Sequence, residues 1–459
     1  MAFKAAHAVR NVLIAGFLLM LGANLPGHLS VDSIMQLYEG RMQVRETFAP
    51  AIYAMILRVF DEIIPGTGLY VVASGFLLFA SLASLCNLRP GVSWFAVPVA
   101  LAVVLSPALL VYQGIVWRDV LFANVAVAGF VCLAHAARHW EVRQARWFPL
   151  LGALVLLALA AIVRQNGLIV VALAALALGW VAWPSGWRAG LAWGGGGFLA
   201  VVILSQVLAF AAQPKSAGPD MAIGVGIRIL QHYDIVGSVA HDRSLALSRI
   251  DAANSTSDDL IRAEAPKVYS PERVDFLDRA PALGANLWPL SNETVGAEWR
   301  DIIIHHPGAY LAHRWDAFRW VFFTPAIERC VPVHVGVDGP AVKLKALDLA
   351  PGVDSADRLL YSYSARFFAT PVFSHLAYAL TAIVVSVLLI LRRENQDIVI
   401  VALLLSSLVF TASFFIISLA CDYRYLYFLD LSAIAGLLYL TIDPSLVRAR
   451  AQAGVGAHP

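Results

Sequence analysis

Charged residues are scarce in this sequence of 459 residues. Asp, Glu, Lys and Arg make up only 14% of it and hydrophobic residues 59%, whereas soluble domains carry about 25% charged residues. This scarcity excludes an ordinary water-soluble enzyme. The net charge of +2 is too close to zero for a typical nucleic-acid-binding protein, so we expect no nucleic-acid partner.

Metal-ligating and phosphate-binding patterns are missing as well. The four cysteines have no metal-ligand spacing, and Gly194–Gly197 lacks the Lys-Ser/Thr of a nucleotide-binding loop. We therefore expect no cofactor, and a divalent metal, although possible, is not indicated. The first apolar run has no small-residue cleavage site, which favours a retained helix over a signal peptide.

Apolar runs close to the length of about 20 residues that crosses a bilayer recur along the whole chain. They predict an all-α polytopic membrane protein with about ten transmembrane helices. A charge and a turn dipeptide interrupt the longest run at Arg164-Gln165-Asn166-Gly167, which predicts a hairpin there. The predicted spans are 11–27, 68–87, 94–112, 119–137, 147–163, 167–183, 190–212, 369–391, 397–420 and 425–441.

The spans divide the chain into three parts. Residues 1–212 form an N-terminal membrane domain of about seven spans, and residues 369–459 hold the last three spans and a cytoplasmic tail. Between them, residues 213–368 have a mixed, slightly acidic composition, which predicts an extracytoplasmic α or α/β domain. Amphipathic patterns at 49–63 and 308–323 predict interfacial helices on the outer membrane surface.

The distribution of Lys and Arg in the short loops predicts the orientation. With the N-terminus in the cytoplasm, every predicted inside segment is basic, and both termini are cytoplasmic. The composition suits a bacterial inner membrane. The residues that carry this prediction are Lys4, Arg10, Arg89, Arg138, Arg143, Arg146, Arg188, Arg392, Arg393, Arg448 and Arg450.

Three outer turns each carry an arginine beside a predicted span, namely Arg118, Arg164 and Arg424. A charge at membrane depth is costly without a partner, and the planar guanidinium fork suits phosphate. The three residues are therefore candidates for binding an anionic lipid head group. The alternative is a structural salt bridge in each case, of Arg118 with Asp119 and of Arg424 with Asp422.

Asp32 follows the first predicted span, within Ser30-Val31-Asp32-Ser33. A carboxylate at this place could serve as the general base for an acceptor hydroxyl. Alternatively, Asp32 or Ser33 caps the helix that carries Gln36. The two roles are compatible with each other.

The remaining candidates surround these charges. Asp119 is either a second acid of the same site or only the partner of Arg118. Gln36, Asn166 and Tyr425 lie close in sequence to the candidate charges and are candidates for substrate contacts. We expect the two interfacial helices to frame one outer cavity that contains the candidate residues.

Two further pairs have structural interpretations. His305 and His306 are adjacent, so their side chains diverge, and surface packing is favoured over metal binding. Cys330 and Cys421 both fall on the predicted oxidising side and could form a disulfide. The sequence does not establish that they lie within bonding distance.

The order of these features resembles the GT-C superfamily of integral-membrane glycosyltransferases, especially bacterial relatives of the protein O-mannosyltransferases and of the lipid A aminoarabinose transferase. The likeness covers about two thirds of the chain. It is carried by Asp32 in the first outer loop, the segment Phe48–Phe60, the segment His306–Arg314 and the late Arg424-Tyr425 pair. The sequence departs from the family at Ser33, where an acid is common, and at Phe48-Ala49, where relatives have His-Pro.

The resemblance implies transfer of one sugar from a polyprenyl-monophosphate donor to a glycan, lipid or protein acceptor at the extracytoplasmic membrane face, as in cell-envelope glycan biosynthesis. Asp32 would be the general base, with inversion at the anomeric carbon, and Arg164, Arg424 and Arg118 would bind the donor phosphate. One alternative is a polymerase or ligase of lipid-linked glycans. Another is a lipid or solute transporter, which would also contact membrane lipids but would favour ionisable groups near the bilayer midplane.

Overall fold

The computed structural model describes residues 2–214, 221–392 and 394–445. Within these ranges the chain forms 22 α-helices and no β-strand. The first half contains α1 (Ala2–Asn24), α2 (Val31–Met42), α3 (Ala51–Ile63), α4 (Gly68–Ser84), α5 (Ala96–Leu105), α6 (Pro107–Leu110), α7 (Arg118–Arg138), α8 (Arg143–Val163), α9 (Leu168–Ala182) and α10 (Trp187–Ala211).

The second half begins with nine helices that follow α10 and ends with three long apolar ones. In chain order they are α11 (Met221–His241), α12 (Ser248–Ala253), α13 (Ser255–Val268), α14 (Phe276–Arg279), α15 (Pro281–Leu287), α16 (Asn292–His305), α17 (Pro307–Phe323), α18 (Ala341–Leu347), α19 (Ser355–Ala365), α20 (His375–Arg392), α21 (Asn395–Ile417) and α22 (Tyr427–Ile442).

The predicted all-α polytopic membrane fold is confirmed. Nine helices of the described residues are long and apolar enough to cross a membrane, and a bent pair makes a tenth. They correspond one to one with the predicted spans, including the hairpin between α8 and α9. Their bounds are Lys4–Asn24, Gly68–Asn87, Arg118–Arg138, Arg143–Val163, Leu168–Ser185, Trp187–Ala211, His375–Arg392, Asn395–Ile417 and Tyr423–Ile442.

The span predicted at 94–112 is not straight. It is broken into α5 and a second segment, Pro107–Gly114, at an angle of 59°. Pro107 supplies no backbone N–H, which ends α5, and it is favourable at the start of the next helix. Ser106 caps that helix by accepting a hydrogen bond from the backbone N–H of Ala108 at 3.3 Å.

Two helices form the centre of the membrane bundle and one lies at its edge. In the most apolar 18-residue stretch of each span, 89% of α7 is buried and 83% of the last span, but only 11% of α10. Since α10 is apolar yet mostly uncovered, its side chains face the lipid. Arg118 and Asp119 are the first residues of α7, and Tyr425 lies near the start of the last span, which continues into α22.

A second hydrophobic cluster, separate from that of the bundle, is built from residues 233–317. Its buried polar centre is Asp234, which accepts hydrogen bonds from the Trp299 indole at 2.7 Å and from His313 at 3.1 Å and contacts Arg314. Arg314 also donates to the backbone carbonyl of Ser418 at 2.9 Å. The cluster is thereby attached to the loop that precedes the last span.

The opposite ends of the spans are held by buried charges. Arg89 donates to Glu394 and to Asp443, both at 2.6 Å. Arg392 binds Asp397 through two hydrogen bonds of 2.8 and 2.7 Å. These arginines, predicted as cytoplasmic charges, therefore also bind the ends of neighbouring helices together.

Both amphipathic patterns fold as helices, α3 and α17, within two residues of their predicted bounds. His305 has an exposed side chain that pairs with Asp301 at 3.2 Å, in agreement with the surface interpretation. Arg393, Arg448 and Arg450, with most of the predicted cytoplasmic tail, lie outside the described residues.

Cys330 and Cys421 form a disulfide that links two chain positions 91 residues apart. Cys86 and Cys132 are free. The bond joins the turn after α17 to the loop before the last span, and both cysteines are fully buried.

We expect thiol counting on the denatured protein to give two free thiols before reduction and four afterwards. A maleimide mass tag read by mass spectrometry measures this, with peptide mapping to identify the tagged residues. Cys86 and Cys132 are the internal controls, since they label under both conditions. Four thiols without reduction would contradict the disulfide.

Candidate functional site

A polar cavity of about 660 Å³ opens among the start of α2, the turn before α7, residues 229–288 and the loop before the last span. Five residues predicted from the sequence line it: Asp32, Gln36, Arg118, Arg424 and Tyr425. They come from three separate stretches of the chain, so the fold brings them together.

A second, more apolar cavity of about 440 Å³ lies beside the first. Its lining includes Arg164 and Asn166 together with apolar side chains such as Leu230 and Phe414. The two cavities share four lining residues, which are Phe48, Arg118, Leu419 and Tyr425. Arg118 and Tyr425 are thus the predicted residues that lie at the junction.

Asp32 stands in the first turn of α2, where a carboxylate interacts favourably with the helix dipole. Ser30, and not Asp32 or Ser33, occupies the N-cap position, but Ser33 takes part in capping from the first turn of the helix. The Ser33 hydroxyl accepts a hydrogen bond from the Ser30 backbone N–H at 3.2 Å. Since the cap is provided by other residues, the Asp32 carboxylate is free to face the cavity, and its side chain is 51% exposed.

Arg424 connects three carboxylates. Its Nη2 atom donates to Asp32 and, at 3.0 Å, to Asp422, and its Nε atom lies 3.8 Å from Asp119. The guanidinium lies over the Trp117 ring at 4.7 Å from the ring centroid. The predicted pairing of Arg424 with Asp422 is present, but Arg424 also contacts Asp32, 392 residues away in sequence.

The predicted pairing of Arg118 with Asp119 is wrong. Asp119 is 3% exposed and pairs with Arg164 instead, because the hairpin between α8 and α9 brings Arg164 to the start of α7. Asp119 lines neither cavity. Arg118, in contrast, makes no hydrogen bond or ion pair within the described parts of the chain.

Charges around Asp32 keep its carboxyl group ionised. Burial opposes ionisation, but Arg424, which also donates a hydrogen bond, and more weakly Arg118 and Arg273 outweigh it. The pKa of Asp32 is therefore lowered from its usual value. At neutral pH the group is a carboxylate and can accept a proton.

The sequence did not single out three side chains that line the polar cavity, which are Arg273, His334 and Trp288. Arg273 donates to Asp422 at 2.6 Å across a separation of 149 residues. Nothing local in the sequence signals such a pairing. The Nε2 atom of His334 is buried without a hydrogen-bond partner in the described structure, and only its place in the folded chain reveals this.

In residues 2–214, 221–392 and 394–445, no group of three or more His, Cys, Asp or Glu side chains is arranged to hold a metal ion. Comparison of the sequence with protein-family models and with curated proteins finds no match. The chemistry of the site must therefore be argued from its own geometry.

The different partners of Arg164 and Arg118 predict different effects on stability. Arg164→Gln leaves Asp119 buried beside only a more distant cation, which should lower the free energy of unfolding by about 3–5 kcal/mol. Arg118→Gln breaks no ion pair and should change it by less than about 1 kcal/mol. Thermal unfolding of the two variants in the same detergent compares them directly. Equal melting temperatures would show that Asp119 does not depend on Arg164.

Proposed function

We propose that this multi-pass membrane protein is a glycosyltransferase that moves one sugar from a polyprenyl monophosphate to an acceptor hydroxyl. The observation that carries the proposal is the position of Arg118. Its unpaired guanidinium lies at the junction of a polar cavity, which contains Asp32, and a more apolar cavity. A lipid phosphate has this same division between a charged group and an apolar chain.

The proposed donor lipid would lie across the two cavities in one orientation. The apolar chain would enter the cavity lined by Leu230, Phe414 and Ile417, and the phosphate would lie against Arg118. Arg424 and Arg164 would stabilise the phosphate from either side of that junction. The sugar would then project into the polar cavity, close to Asp32.

The reaction we propose is a single displacement. Asp32 accepts the proton of the acceptor hydroxyl while the oxygen of that hydroxyl attacks the anomeric carbon. The bond from that carbon to the phosphate oxygen breaks, and polyprenyl phosphate leaves with the bonding electrons. One attack inverts the anomeric configuration. Preorganised guanidinium groups stabilise the charge that develops on the departing phosphate.

In this proposal Asp119 is not a second catalytic acid. It lines neither cavity and pairs with Arg164, so it would position Arg164 and Arg424 rather than contact substrate. Gln36, Asn166 and Tyr425 each line a cavity and remain candidates for substrate contacts.

The arrangement of charges supports the proposed sidedness. The basic residues Arg89 and Arg392 lie at the span ends opposite the site, as expected for a cytoplasmic face. The disulfide lies on the side of the site, where an oxidising compartment would favour it. Residues 213–368 would then be an extracytoplasmic domain of a bacterial inner membrane protein, inserted before the last three spans and not at the C-terminus, which is a departure from the GT-C pattern.

A transporter would have to break the ion pairs of Arg89 and Arg392 during its cycle. They hold together the ends of α20, α21 and the last span away from the site. A transporter must open that end to release its substrate. A polymerase or ligase of lipid-linked glycans would need room for a pyrophosphate, and identifying the released lipid by mass analysis distinguishes it from a monophosphate-dependent enzyme.

Asp32→Asn should abolish sugar transfer, because the amide cannot take the acceptor proton. We would feed membranes with radiolabelled polyprenyl-phosphate sugars, one donor at a time, and measure label in lipid, glycan and protein fractions. Asp259→Asn, which changes an exposed carboxylate with an 82% exposed side chain on α13, is the matched control and should retain full activity. Full transfer by Asp32→Asn would exclude Asp32 as the base.

Arg118→Gln should weaken binding of the donor lipid phosphate by about 10- to 100-fold, as expected for loss of one charge-assisted contact worth about 1.5–3 kcal/mol. Equilibrium binding of a fluorescent polyprenyl phosphate to the purified protein measures this. Arg58→Gln is the control, since Arg58 is a partly exposed arginine that pairs with Glu62 on α3. Unchanged binding in Arg118→Gln would remove the main support for the proposal.

A further inference from the structure

The polar cavity has lining residues that the proposed donor chemistry does not use. Asp275, Asp278 and Trp288 all come from the second hydrophobic cluster and its loops. They lie in residues 229–288, which contribute to the cavity separately from α2 and the turn that carries Arg118. This part of the lining is called the acidic–aromatic wall below.

Trp288 is an exposed aromatic side chain on a fixed turn. It is 46% exposed, although burial of a large ring is favourable. The buried side chain of Arg228 holds the turn by donating to the backbone carbonyls of Leu287 at 3.1 Å and Leu290 at 2.5 Å. The ring is therefore presented to the cavity by a rigid backbone.

The indole N–H of Trp288 donates no hydrogen bond within the described ranges. Two other tryptophans have partners, since Trp117 donates to Ser30 at 2.8 Å and Trp299 donates to Asp234 at 2.7 Å. The His232 ring packs against the indole nearly at right angles, with the ring centroids 4.7 Å apart. The part of the indole that stays exposed, with its free N–H, suits a ligand that is apolar on one side and hydroxylated at its edge.

Two carboxylates that line the same cavity as this ring indicate the charge of the ligand. Asp275 and Asp278 are exposed, and Asp278 makes no ion pair in the part of the chain that the structure describes. Asp275 has Arg273 at 3.8 Å, but Arg273 also pairs with Asp422. Carboxylates accept hydrogen bonds from hydroxyls and repel an anionic ligand.

We propose that the acidic–aromatic wall binds the acceptor, and that the acceptor is a neutral glycan. A pyranose ring stacks its C–H face on Trp288, while its hydroxyls donate to Asp275 and Asp278. The role of the glycan as an acceptor rests on the proposed glycosyltransferase function. Binding of a glycan to this wall does not depend on that function. The wall disfavours acceptors that carry several phosphate or carboxylate groups.

The binding test uses the full-length protein in detergent and four neutral probes: maltotetraose, cellotetraose, mannotetraose and chitotetraose. Saturation-transfer NMR measures their binding. We expect at least one to bind, and Trp288→Ala to raise its dissociation constant about tenfold or more, as for a central aromatic contact. Trp288→Tyr should retain most of the binding, because the ring is kept.

The control for Trp288 is Trp315→Ala, which removes a ring of similar exposure, 50%, outside the cavity, and should bind like the wild type. Asp278→Asn should increase the affinity for the anionic probe tetragalacturonate, and Asp259→Asn should not. The inference is overturned if none of the neutral probes binds, or if they bind equally to Trp288→Ala and Trp315→Ala.

The transfer assay then separates this inference from the proposed function. If glycans bind through Trp288 but no polyprenyl-phosphate sugar is transferred, the glycan site stands and the proposed reaction fails. If sugar is transferred to lipid or protein with the same acceptor KM in Trp288→Ala and wild type, the reaction stands and the glycan acceptor is refuted. If the proposed reaction and the glycan acceptor are both correct, Trp288→Ala should raise the acceptor KM and leave the donor KM unchanged.

Discussion

The structure depends on how arginine side chains are neutralised where water is scarce. Three guanidinium groups, of Arg164, Arg273 and Arg424, pair with four carboxylates beside the two cavities, and a fourth guanidinium, of Arg118, lies near them. The carboxylates are those of Asp32, Asp119, Asp275 and Asp422. Each of these carboxylates has an arginine partner, and Arg118 is the guanidinium among the four that makes no ion pair in the described residues. A buried unpaired charge would be costly, but this one faces two cavities that an anion can enter. Under the proposed function, this unpaired guanidinium would bind the single phosphate of the donor.

This network also explains how distant parts of the chain are held together. The loop before the last span is bound by Arg273 through Asp422, by Arg314 through the Ser418 carbonyl and by the disulfide of Cys421. Three kinds of bond therefore fix the segment that carries Arg424. The second hydrophobic cluster therefore holds the loop that carries Arg424 in place and also forms one wall of the polar cavity.

The spans could be predicted from sequence because bilayer thickness imposes a length on apolar runs that needs no tertiary information. The three arginines of the site could be predicted because arginine is unusual in a turn on the predicted outer side, whatever its tertiary contacts are. The pairings could not be predicted in the same way. Arg118 and Asp119 are neighbours in sequence, but the first turn of α7 points them in different directions, and a hairpin supplies Arg164. Nothing in the sequence pointed to Trp288, since a tryptophan in a polar segment commonly belongs to the hydrophobic core of a folded domain.

The contact between Asp32 and Arg424 has a consequence for how the protein is made. The two residues are 392 positions apart, so ribosomes finish nearly the whole chain before the second partner exists. Until the last helix is inserted, Asp32 lacks its main counter-charge and the turn that bears Arg424 is absent. A truncated copy thus has an incomplete pocket, and protein synthesis itself delays assembly of the site until the final membrane crossing.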